Sequence, residues 1–400
     1  MADFSVVGGG VGGLVVARRL AASGASVTVF EASDHLGGTI AQLDLGGLAL
    51  DAGAESFAVR GGAVEALLAE LGLAGDIVAP APRPAWLQPV TGDAVPLPAT
   101  ALLGIPADPL ADDVVRVVGL AAAGRAADLD ARPVGEVPAT LGALVRERHG
   151  AEMLDRLVAP VVHGVHSQHP DELPVARAHP ALADAVVSAG SLSGAVARLR
   201  AAAPPGAAVA GIRGGVNRIV PALADDLERL GGAIRLGTRI DDLAALEGAA
   251  VVAAPGVATP AAPGRRIDLV TLLVEQDELD AAPRGTGLLV AAGAPVAARA
   301  LTHATAKWGW LREAAGGRHV IRLSYDETPA DPVAAAVADA QTLLGVRLPV
   351  VVDAAHVFWV RPAAASVPSD VVVVGETVAG SGLAGIVAHA ERTAAELLSR

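Results

Sequence analysis

Apolar and polar positions at the start of the chain follow the order strand, helix, strand. A short apolar run at 4–7 leads directly into glycines at 8–13, and apolar residues then recur at helical spacing as far as Ser23. Gly24 follows as the C-terminal cap of this helix, and a second predicted strand spans 27–31. The pattern predicts a β-α-β unit, the usual beginning of a parallel sheet covered by helices.

The rest of the chain predicts more of this sheet, separated by two other kinds of pattern. One kind is rich in short strands, and the other is mainly helical with breaks at prolines such as Pro160. We therefore predict an α/β fold in which a discontinuous, Rossmann-like nucleotide-binding domain carries two insertions. The predicted boundaries are 1–75, 205–265 and 355–400 for the nucleotide-binding domain, 76–110 and 266–354 for an α+β substrate-binding domain, and 111–204 for a helical subdomain.

The glycine turn after the first predicted strand has the spacing G-x-G-x-x-G, with Gly8, Gly10 and Gly13 at the glycine positions. The first glycine permits the tight turn, the second lets the backbone approach a pyrophosphate, and the third lets helix and strand pack closely. The following helix offers free amide groups and partial positive charge to phosphates. Glu31 ends the second strand, 23 residues after Gly8, where its carboxylate can accept ribose hydroxyls. Together these features predict a dinucleotide site.

Three features favour FAD over NAD as this dinucleotide. A second glycine pair, Gly37 and Gly38, follows Glu31 closely. Near the C-terminus, the segment 371–386 repeats the order of strand, glycine, acid and glycine-rich helix start. This helix can stabilise negative charge on a reduced flavin, and Glu376 can bond the ribityl chain or the pyrophosphate region. The sequence also lacks a second G-x-G-x-x-G with an acid about 20 residues later, which an NAD(P)H-dependent reductase needs.

Composition excludes several classes of protein and favours an oxidase. The 400 residues include no cysteine, which excludes disulfide scaffolds, iron–sulfur clusters and redox dithiols. Because neither a cysteine pair nor an NAD(P)H motif is present, molecular oxygen is the simplest electron acceptor. The formal net charge of −13 argues against nucleic acid as a partner.

Hydropathy and the N-terminal sequence bear on location. The mean hydropathy is +0.48, but no run of about 18 strongly apolar residues predicts a transmembrane segment. The first residues lack the pattern of a secretory leader. We therefore expect a cytoplasmic protein with at most weak membrane contact.

Several segments, taken in order along the chain, resemble the protoporphyrinogen oxidase family within the flavin amine-oxidase superfamily. The segments that carry the resemblance are EASDHLGG at 31–38, DAGAESF at 51–57 followed by Arg60, the helical segment 144–173, GIRGGVNRIVPAL at 211–223, ATAKW at 304–308 and VGETVAGSGLAGIV at 374–387. They extend over nearly the whole chain. The resemblance implies a domain of the glutathione-reductase type that binds FAD.

The resemblance also implies a reaction, the six-electron oxidation of a porphyrinogen to a porphyrin in haem biosynthesis, with O2 reduced to H2O2. We favour coproporphyrinogen III, the substrate of the soluble bacterial branch, over protoporphyrinogen IX. The same branch implies transfer of the porphyrin to a ferrochelatase. Two other hypotheses remain open: another FAD-dependent enzyme of the amine oxidase or desaturase-like kind, and a nucleotide-binding scaffold without catalysis.

Sixteen positions are predicted to contact FAD, some from the motifs above and the others from the resemblance. Ile240 is expected on a strand, where its backbone meets the adenine, and Trp359 is expected beside the flavin. The predicted positions are Gly8, Gly10, Gly12, Gly13, Glu31, Gly37, Gly38, Gly53, Ala54, Glu55, Ile240, Trp359, Glu376, Gly382, Leu383 and Ala384.

Coproporphyrinogen carries four propionates, so a chain of net negative charge needs local cations to bind it. The candidates are Arg60, Arg177, Lys307, Arg361 and His166. Lys307 is the one lysine in a sequence that otherwise uses arginine. None of the five is predicted to be a catalytic base, because pyrrole protons can leave to solvent.

The chain departs from the family pattern in two places, and one histidine cluster is set aside. Thr39 stands where the family usually has arginine or lysine, and the segment 359–375 is shorter than the family's, so part of an active-site wall is expected to be missing or replaced. His163, His166 and His169 are spaced like metal ligands, but no carboxylate pattern accompanies them, and we predict no metal site.

Overall fold

The computed structural model describes residues 3–166, 168–202, 208–257, 264–361, 371–380 and 382–399. The strands are β1 Asp3–Val7, β2 Ser26–Phe30, β3 Gln42–Leu45, β4 Leu48–Asp51, β5 Phe57–Ala58, β6 Ile77–Val78, β7 Trp86–Gln88, β8 Val95–Pro96, β9 Ala101–Leu102, β10 Ile105–Pro106, β11 Val209–Ile212, β12 Ala233–Arg235, β13 Ala249–Val252, β14 Arg265–Glu275, β15 Gly287–Val290, β16 Ala300–His303, β17 His319–Tyr325, β18 Val350–Arg361 and β19 Val372–Val373. The helices are α1 Val11–Ala22, α2 Ala63–Glu70, α3 Asp112–Val118, α4 Leu120–Asp130, α5 Leu141–His149, α6 Ala151–Met153, α7 Ala159–His166, α8 Val175–Ala178, α9 Leu182–Ala189, α10 Leu192–Ala202, α11 Ile219–Arg229, α12 Ala304–Lys307, α13 Gly309–Ala315, α14 Pro332–Leu344, α15 Glu376–Ala379 and α16 Leu383–Leu398.

The chain divides into two units. Unit 1 comprises Met1–Pro80, Ala207–Leu269 and Val357–Arg400, and unit 2 comprises Ala81–Gly206 and Val270–His356. Two of the four boundaries fall inside strands, one in β14 and one in β18. The three predicted domains and their boundaries stay a prediction.

Unit 1 is built on a parallel sheet with the strand order β12-β2-β1-β13-β19. Val7 pairs with Phe30 of β2 on one side and with Val252 of β13 on the other, and Val252 in turn pairs with Val373. The chain goes first to one side of β1 and later to the other, so the strand order reverses between β1 and β13. In open α/β sheets, ligands bind at such a reversal, outside the carboxyl ends of the strands.

Helix α1 lies at the centre of unit 1, packed against α11 and α16. Leu14, Val15, Val16, Ala17 and Leu20 are fully buried, so apolar residues cover more than one face of this helix. A helix that is apolar over most of its circumference is held on several sides. The position of the glycine turn before α1 is therefore fixed by the core of the unit.

Unit 2 contains a sheet with the strand order β18-β14-β17-β16-β15-β7-β8 and the helices α3 to α10. Helix α14 covers the sheet with Ala336, Ala340 and Leu343, all fully buried. A separate apolar cluster forms among α5, α7, α9 and α10.

Two sequence predictions about local structure were wrong. Pro160 does not break a helix: a π-helical stretch, Leu154–Val158, leads directly into α7, and such a stretch accommodates the missing amide hydrogen of proline. Ile240 is not on a strand, because β12 ends at Arg235 and Gly237 follows with a φ of +61°. The chain then runs beside the segment after β2, where Thr238 N donates to Glu31 O at 2.8 Å.

The predicted α/β class with a Rossmann-like parallel sheet is confirmed. The opening strand, helix and strand fall within a few residues of their predicted bounds, and α16 begins at Leu383, inside the segment 371–386 for which a helix start is predicted.

Candidate cofactor site

The glycine turn after β1 is shaped by close backbone contacts. Gly8 has a φ of +107°, and a Cβ there would lie 2.6 Å from Ala254 N. A Cβ on Gly13 would lie 2.1 Å from Gly8 O, so α1 can approach the turn only with glycine at this position. A Cβ on Gly10 would meet no described atom within 4 Å, because this residue borders open space. The first and third glycines thus serve packing, and the second leaves room for a ligand.

Glu31 fastens the glycine turn to the end of β2. Its Oε2 accepts a hydrogen bond from Gly9 N at 2.7 Å, and its Oε1 accepts from Ser33 N and Ser33 Oγ, both at 2.8 Å. Burial opposes ionisation, but the hydrogen bonds from Ser33 and Gly9 outweigh it and lower the pKa of Glu31 below its ordinary value. The side chain is therefore an ionised, well-oriented acceptor. Its predicted contact with a ribose stays a prediction.

The second glycine pair lies beside the first turn. Gly37 forms a parallel bridge with Gly10, and Gly37 N donates to Gly9 O at 2.9 Å. Gly37 and Gly38 have φ angles of +101° and +60°, which residues with a Cβ rarely adopt. The segment after β2 can therefore fold back onto the start of α1, as the sequence suggests.

The C-terminal segment contributes the far side of the site. Gly375 approaches α1 so closely that a Cβ on Gly12 would lie 3.1 Å from its Cα. Gly382, with a φ of +111°, precedes α16. Among the described residues, no side chain caps the first turn of either α1 or α16. Both helices thus keep backbone N–H groups at their N-termini for a ligand.

A cavity of about 260 Å³ lies where these segments meet, at the carboxyl ends of β1 and β13. Ten of the sixteen predicted FAD positions line it: Gly10, Gly12, Gly13, Gly37, Gly38, Ala54, Trp359, Glu376, Gly382 and Leu383. The lining formed by described residues does not include the other six, which are Gly8, Glu31, Gly53, Glu55, Ile240 and Ala384.

Eight lining residues were not among the predicted positions: Val11, Thr39, Ile40, Ala253, Pro255, Val360, Gly375 and Ile386. Two kinds of signal could have found some of them. Ala253 and Pro255 follow the apolar run of β13, whose carboxyl end meets that of β1 in a parallel sheet. Ile386 lies one helical turn after Gly382, on the same face of α16.

Arg361, predicted as a substrate-binding residue, lies in this cavity. Its Nε is 2.7 Å from Glu376 Oε1, and the two side chains are 27% and 18% exposed. Burial raises the pKa of Glu376 above its ordinary value, although the Arg361 guanidinium acts in the opposite direction. The arrangement places one cation and one carboxylate, close together, in an otherwise uncharged lining of described residues.

The cavity has several features suited to a nucleotide cofactor. Glycines let a ligand reach the backbone at Gly10 and Gly38, two uncapped helix starts supply N–H donors, and Trp359 and Leu383 add apolar surface. The Nε of Arg361 is buried and lacks a well-aligned hydrogen bond to any described residue. Such a donor is suited to a bound anion. Residues 362–370, which include most of the shortened segment, lie outside the described residues.

The other substrate candidates are distributed over both units. Arg60 is exposed in the turn after β5 of unit 1. In unit 2, Arg177 is exposed on α8, and Lys307 is half-buried with its Nζ 5.0 Å from the centre of the Trp308 ring. His166 is the last residue of α7, and its side chain lies outside the described part of the chain. Whether these side chains share one substrate stays a prediction.

The histidine cluster and the apolar helices α9 and α10 all lie in unit 2. His163 Nε2 is 2.7 Å from Asp326 Oδ2, and the described residues contain no group of three side chains suited to hold a metal ion. Within the described ranges, no single helix is long and apolar enough to cross a membrane. The pair α9 and α10 reaches that length only together and is bent by 118°.

Comparison with known proteins identifies the family. Residues 11–261 match the family described as "Flavin containing amine oxidoreductase". The chain is 31% identical to coproporphyrinogen III oxidase of Mycobacterium leprae over 388 residues, which cover 85% of this chain and 81% of that protein. It is 27% identical to coproporphyrinogen III oxidase of Propionibacterium freudenreichii over 424 residues, which cover 86% and 77% of the two chains.

A solved structure has the same fold. A candidate protoporphyrinogen oxidase from Exiguobacterium sp. 255-15 superposes with a TM-score of 0.83 over 100% of this chain and 99% of that one, at 22% identity. Together with the glycine-lined cavity, these similarities show that the chain belongs to the family of flavin-containing amine oxidoreductases and is a flavin-dependent oxidoreductase.

Proposed function

We propose that the protein is an FAD-dependent oxidase that converts coproporphyrinogen III to coproporphyrin III and transfers the electrons to O2. The observation that carries the proposal is the 31% identity to the Mycobacterium leprae enzyme over 81% of that enzyme's length. The similarity includes the Propionibacterium freudenreichii enzyme at comparable coverage. We further propose that the reaction takes place in the cytoplasm during haem synthesis, with the product passing to a ferrochelatase.

The proposed reaction balances without a further reductant or oxidant. Coproporphyrinogen III loses six electrons and six protons in three two-electron steps, and three O2 molecules become three H2O2. The bound flavin supplies the acceptor for a hydride from the tetrapyrrole. No protein base of high pKa is needed, since pyrrole N–H protons can pass to water.

The residues of this chain hold and orient the cofactor. We assign the phosphates of FAD to the amides at the start of α1, beside Gly10, and the negative charge of the reduced flavin to the start of α16, beside Gly382. Glu31 is assigned to the adenosine ribose, because it is ionised and fixed at the end of β2. Trp359 and Leu383 provide apolar walls that exclude water from the flavin.

The propionates of the substrate require cations, for which Arg60, Arg177, Lys307 and His166 remain the candidates. Arg361 is not assigned to this role, because it faces the glycine-lined cavity. Among these candidates, Lys307 combines a positive charge with partial burial against the Trp308 ring.

The test uses the purified protein. We expect a yellow protein with flavin absorbance, from which denaturation releases FAD rather than FMN. Mixed with coproporphyrinogen III in air, it should generate porphyrin fluorescence and about three H2O2 per porphyrin, a ratio set by the six-electron balance. Heat-inactivated protein measures spontaneous oxidation.

The outcomes separate the alternatives. A colourless protein that does not take up FAD would contradict the proposal as a whole. A larger kcat/KM for protoporphyrinogen IX would reverse the choice of substrate, and the candidate protoporphyrinogen oxidase with the same fold makes this comparison necessary. Oxidation of primary amines without porphyrin formation would favour another branch of the family.

A further inference from the structure

The charged lining of the glycine-rich cavity consists of two side chains that face each other. Arg361 is the last residue of β18, and Glu376 is the first residue of α15. Among the described residues that line the cavity, these two alone carry charge, and the others are glycines, apolar residues and Thr39. A charged ligand that enters the cavity therefore meets this pair.

The contact between the two is close but poorly aligned. Arg361 Nε lies 2.7 Å from Glu376 Oε1, yet this buried Nε makes no well-aligned hydrogen bond to a described residue. The two side chains are 27% and 18% exposed, so both charges have lost much of their water, and a poorly aligned contact offsets that loss only in part. The pair is therefore easily exchanged for a better partner.

A diphosphate is such a partner for the arginine. It brings two negative charges into a cavity where the starts of α1 and α16 offer N–H groups and roughly half a positive charge each. The guanidinium forms a planar fork whose remaining donors, on Nη1 and Nη2, match the oxygens of a phosphate. Glu376, by contrast, would repel the same anion.

We propose that Arg361 is a phosphate-binding residue of the cofactor cavity and that Glu376 holds its guanidinium in place until the diphosphate of the dinucleotide takes over the contact. The inference rests on the proposed use of FAD. The exchange leaves Glu376 without its cation, and burial already raises the pKa of this carboxyl, so the neutral form is accessible once Arg361 turns to the phosphate.

The experiment measures binding to the apoprotein, without turnover. Dissociation constants for FAD, ADP and riboflavin are determined by calorimetry for the wild type, Arg361→Gln and Arg361→Lys. Because a charged hydrogen bond is lost, the affinities for FAD and ADP should fall by about 10- to 100-fold in Arg361→Gln and should recover in part in Arg361→Lys. Riboflavin, which has no phosphate, should bind equally well to all three. Arg239→Gln removes an exposed arginine of the same unit, which pairs with Asp241, and should leave all three affinities unchanged.

The glutamate is tested separately with ADP, which lacks the ribityl chain and the flavin. Glu376→Gln frees Arg361 from its competitor, so ADP should bind about three- to tenfold more tightly. Weaker ADP binding in Glu376→Gln would overturn the role of the glutamate as a competitor. Unchanged FAD and ADP affinity in Arg361→Gln, or an equal loss for riboflavin, would overturn the role of the arginine.

Different binding results would contradict this inference and the proposed function. A wild-type apoprotein that binds ADP but not FAD contradicts the proposed cofactor and leaves Arg361 to be judged on ADP. If the wild type binds FAD, and the Arg361→Gln variant binds FAD and ADP as tightly as the wild type does, the role of Arg361 is overturned. The proposed use of FAD is then not affected.

Discussion

Two carboxylates, the buried Asp130 of unit 2 and the partly buried Glu376 of unit 1, have opposite surroundings. In unit 2, Asp130 accepts hydrogen bonds from Leu192 N at 2.7 Å and Ser193 N at 2.8 Å, and from Arg148 Nε at 3.3 Å. Burial opposes its ionisation, but its interactions with His149 and these amides hold the pKa of Asp130 far below the ordinary range. The protein itself supplies every kind of partner that an ionised carboxylate needs.

In unit 1, the cavity carboxylate Glu376 has Arg361 as its one charged partner among the described lining residues, and burial keeps its pKa above the ordinary value. The contrast extends to the surroundings of the two groups. Asp130 joins the ends of α4 and α5 to the start of α10, whereas Glu376 borders a space formed by glycines. A buried charge with all its partners indicates structure, and one with too few indicates a place for a ligand.

The largest effect is expected from removing the charge of Asp130. Asp130→Asn leaves the guanidinium of Arg148, whose side chain is 3% exposed, without its counter-ion, and loss of one partner of a buried pair costs about 3–5 kcal/mol. Urea unfolding followed by tryptophan fluorescence measures the loss. Asp128→Asn, an exposed change on the same helix, is the control and should cost less than about 0.5 kcal/mol. Equal free energies of unfolding for Asp130→Asn and Asp128→Asn would contradict the structural role of Asp130.

The next largest effect is expected in unit 1, where the cofactor site is formed mainly by backbone atoms. Gly13→Ala places a Cβ 2.1 Å from Gly8 O, so α1 must move away from the turn. Overpacking of this kind costs about 1–3 kcal/mol, and we expect FAD binding to weaken by about 10- to 100-fold. Calorimetric titration of the apoprotein measures it. Gly124→Ala, in α4, adds a methyl group that meets no described atom within 4 Å, and it should leave FAD binding unchanged. A Gly13→Ala protein that binds FAD normally would contradict the packing role.

The smallest effect concerns the buried pair His303 and His319 on β16 and β17, whose Nε2 and Nδ1 are 3.1 Å apart. Burial, with help from His319 and Arg312, lowers the pKa of His303 to about 3. The unfolded chain binds a proton near pH 6.5 and the folded one does not, so stability is complete above that pH and falls as the pH falls toward 3.

Between pH 7 and pH 5 this group alone should lower the free energy of unfolding by about 2 kcal/mol. His303→Gln removes the titrating group. Between pH 7 and pH 5, the free energy of unfolding of this variant should therefore fall by about 2 kcal/mol less than that of the wild type. Urea unfolding at the two pH values measures the difference. His35→Gln, an exposed histidine, serves as the control. Identical pH dependence in wild type and His303→Gln would contradict the neutral, structural state of the pair.

Sequence patterns predict the structure correctly where it is decided locally. The glycine spacing after β1 and the apolar pattern of α16 predict their elements because turn geometry and helix periodicity depend on neighbours along the chain. Ile240 was misplaced because Gly237, a single residue with positive φ, ends the strand early. Pro160 was misjudged because a π-helical turn absorbs it.

The contact between the two charged residues of the site could not be predicted from sequence. Arg361 and Glu376 are brought together by the ends of a long strand and a short helix, and the pattern between them gives no spacing that indicates a contact. Arg361 was therefore grouped with the propionate-binding candidates on its charge alone. The pair His303 and His319 is likewise formed by two adjacent strands, and neither residue stands in a recognisable motif.

The arrangement of unit 1 also determines how the protein can be made. Helix α1 emerges early in translation, but α16, which packs against it, is synthesised more than 350 residues later. Until then Leu14 and its neighbours lack part of their cover, whereas both segments of unit 2 have already left the ribosome. Contacts so distant in sequence form slowly. We therefore expect a nascent chain whose second unit folds first and whose cofactor cavity is completed when α16 appears.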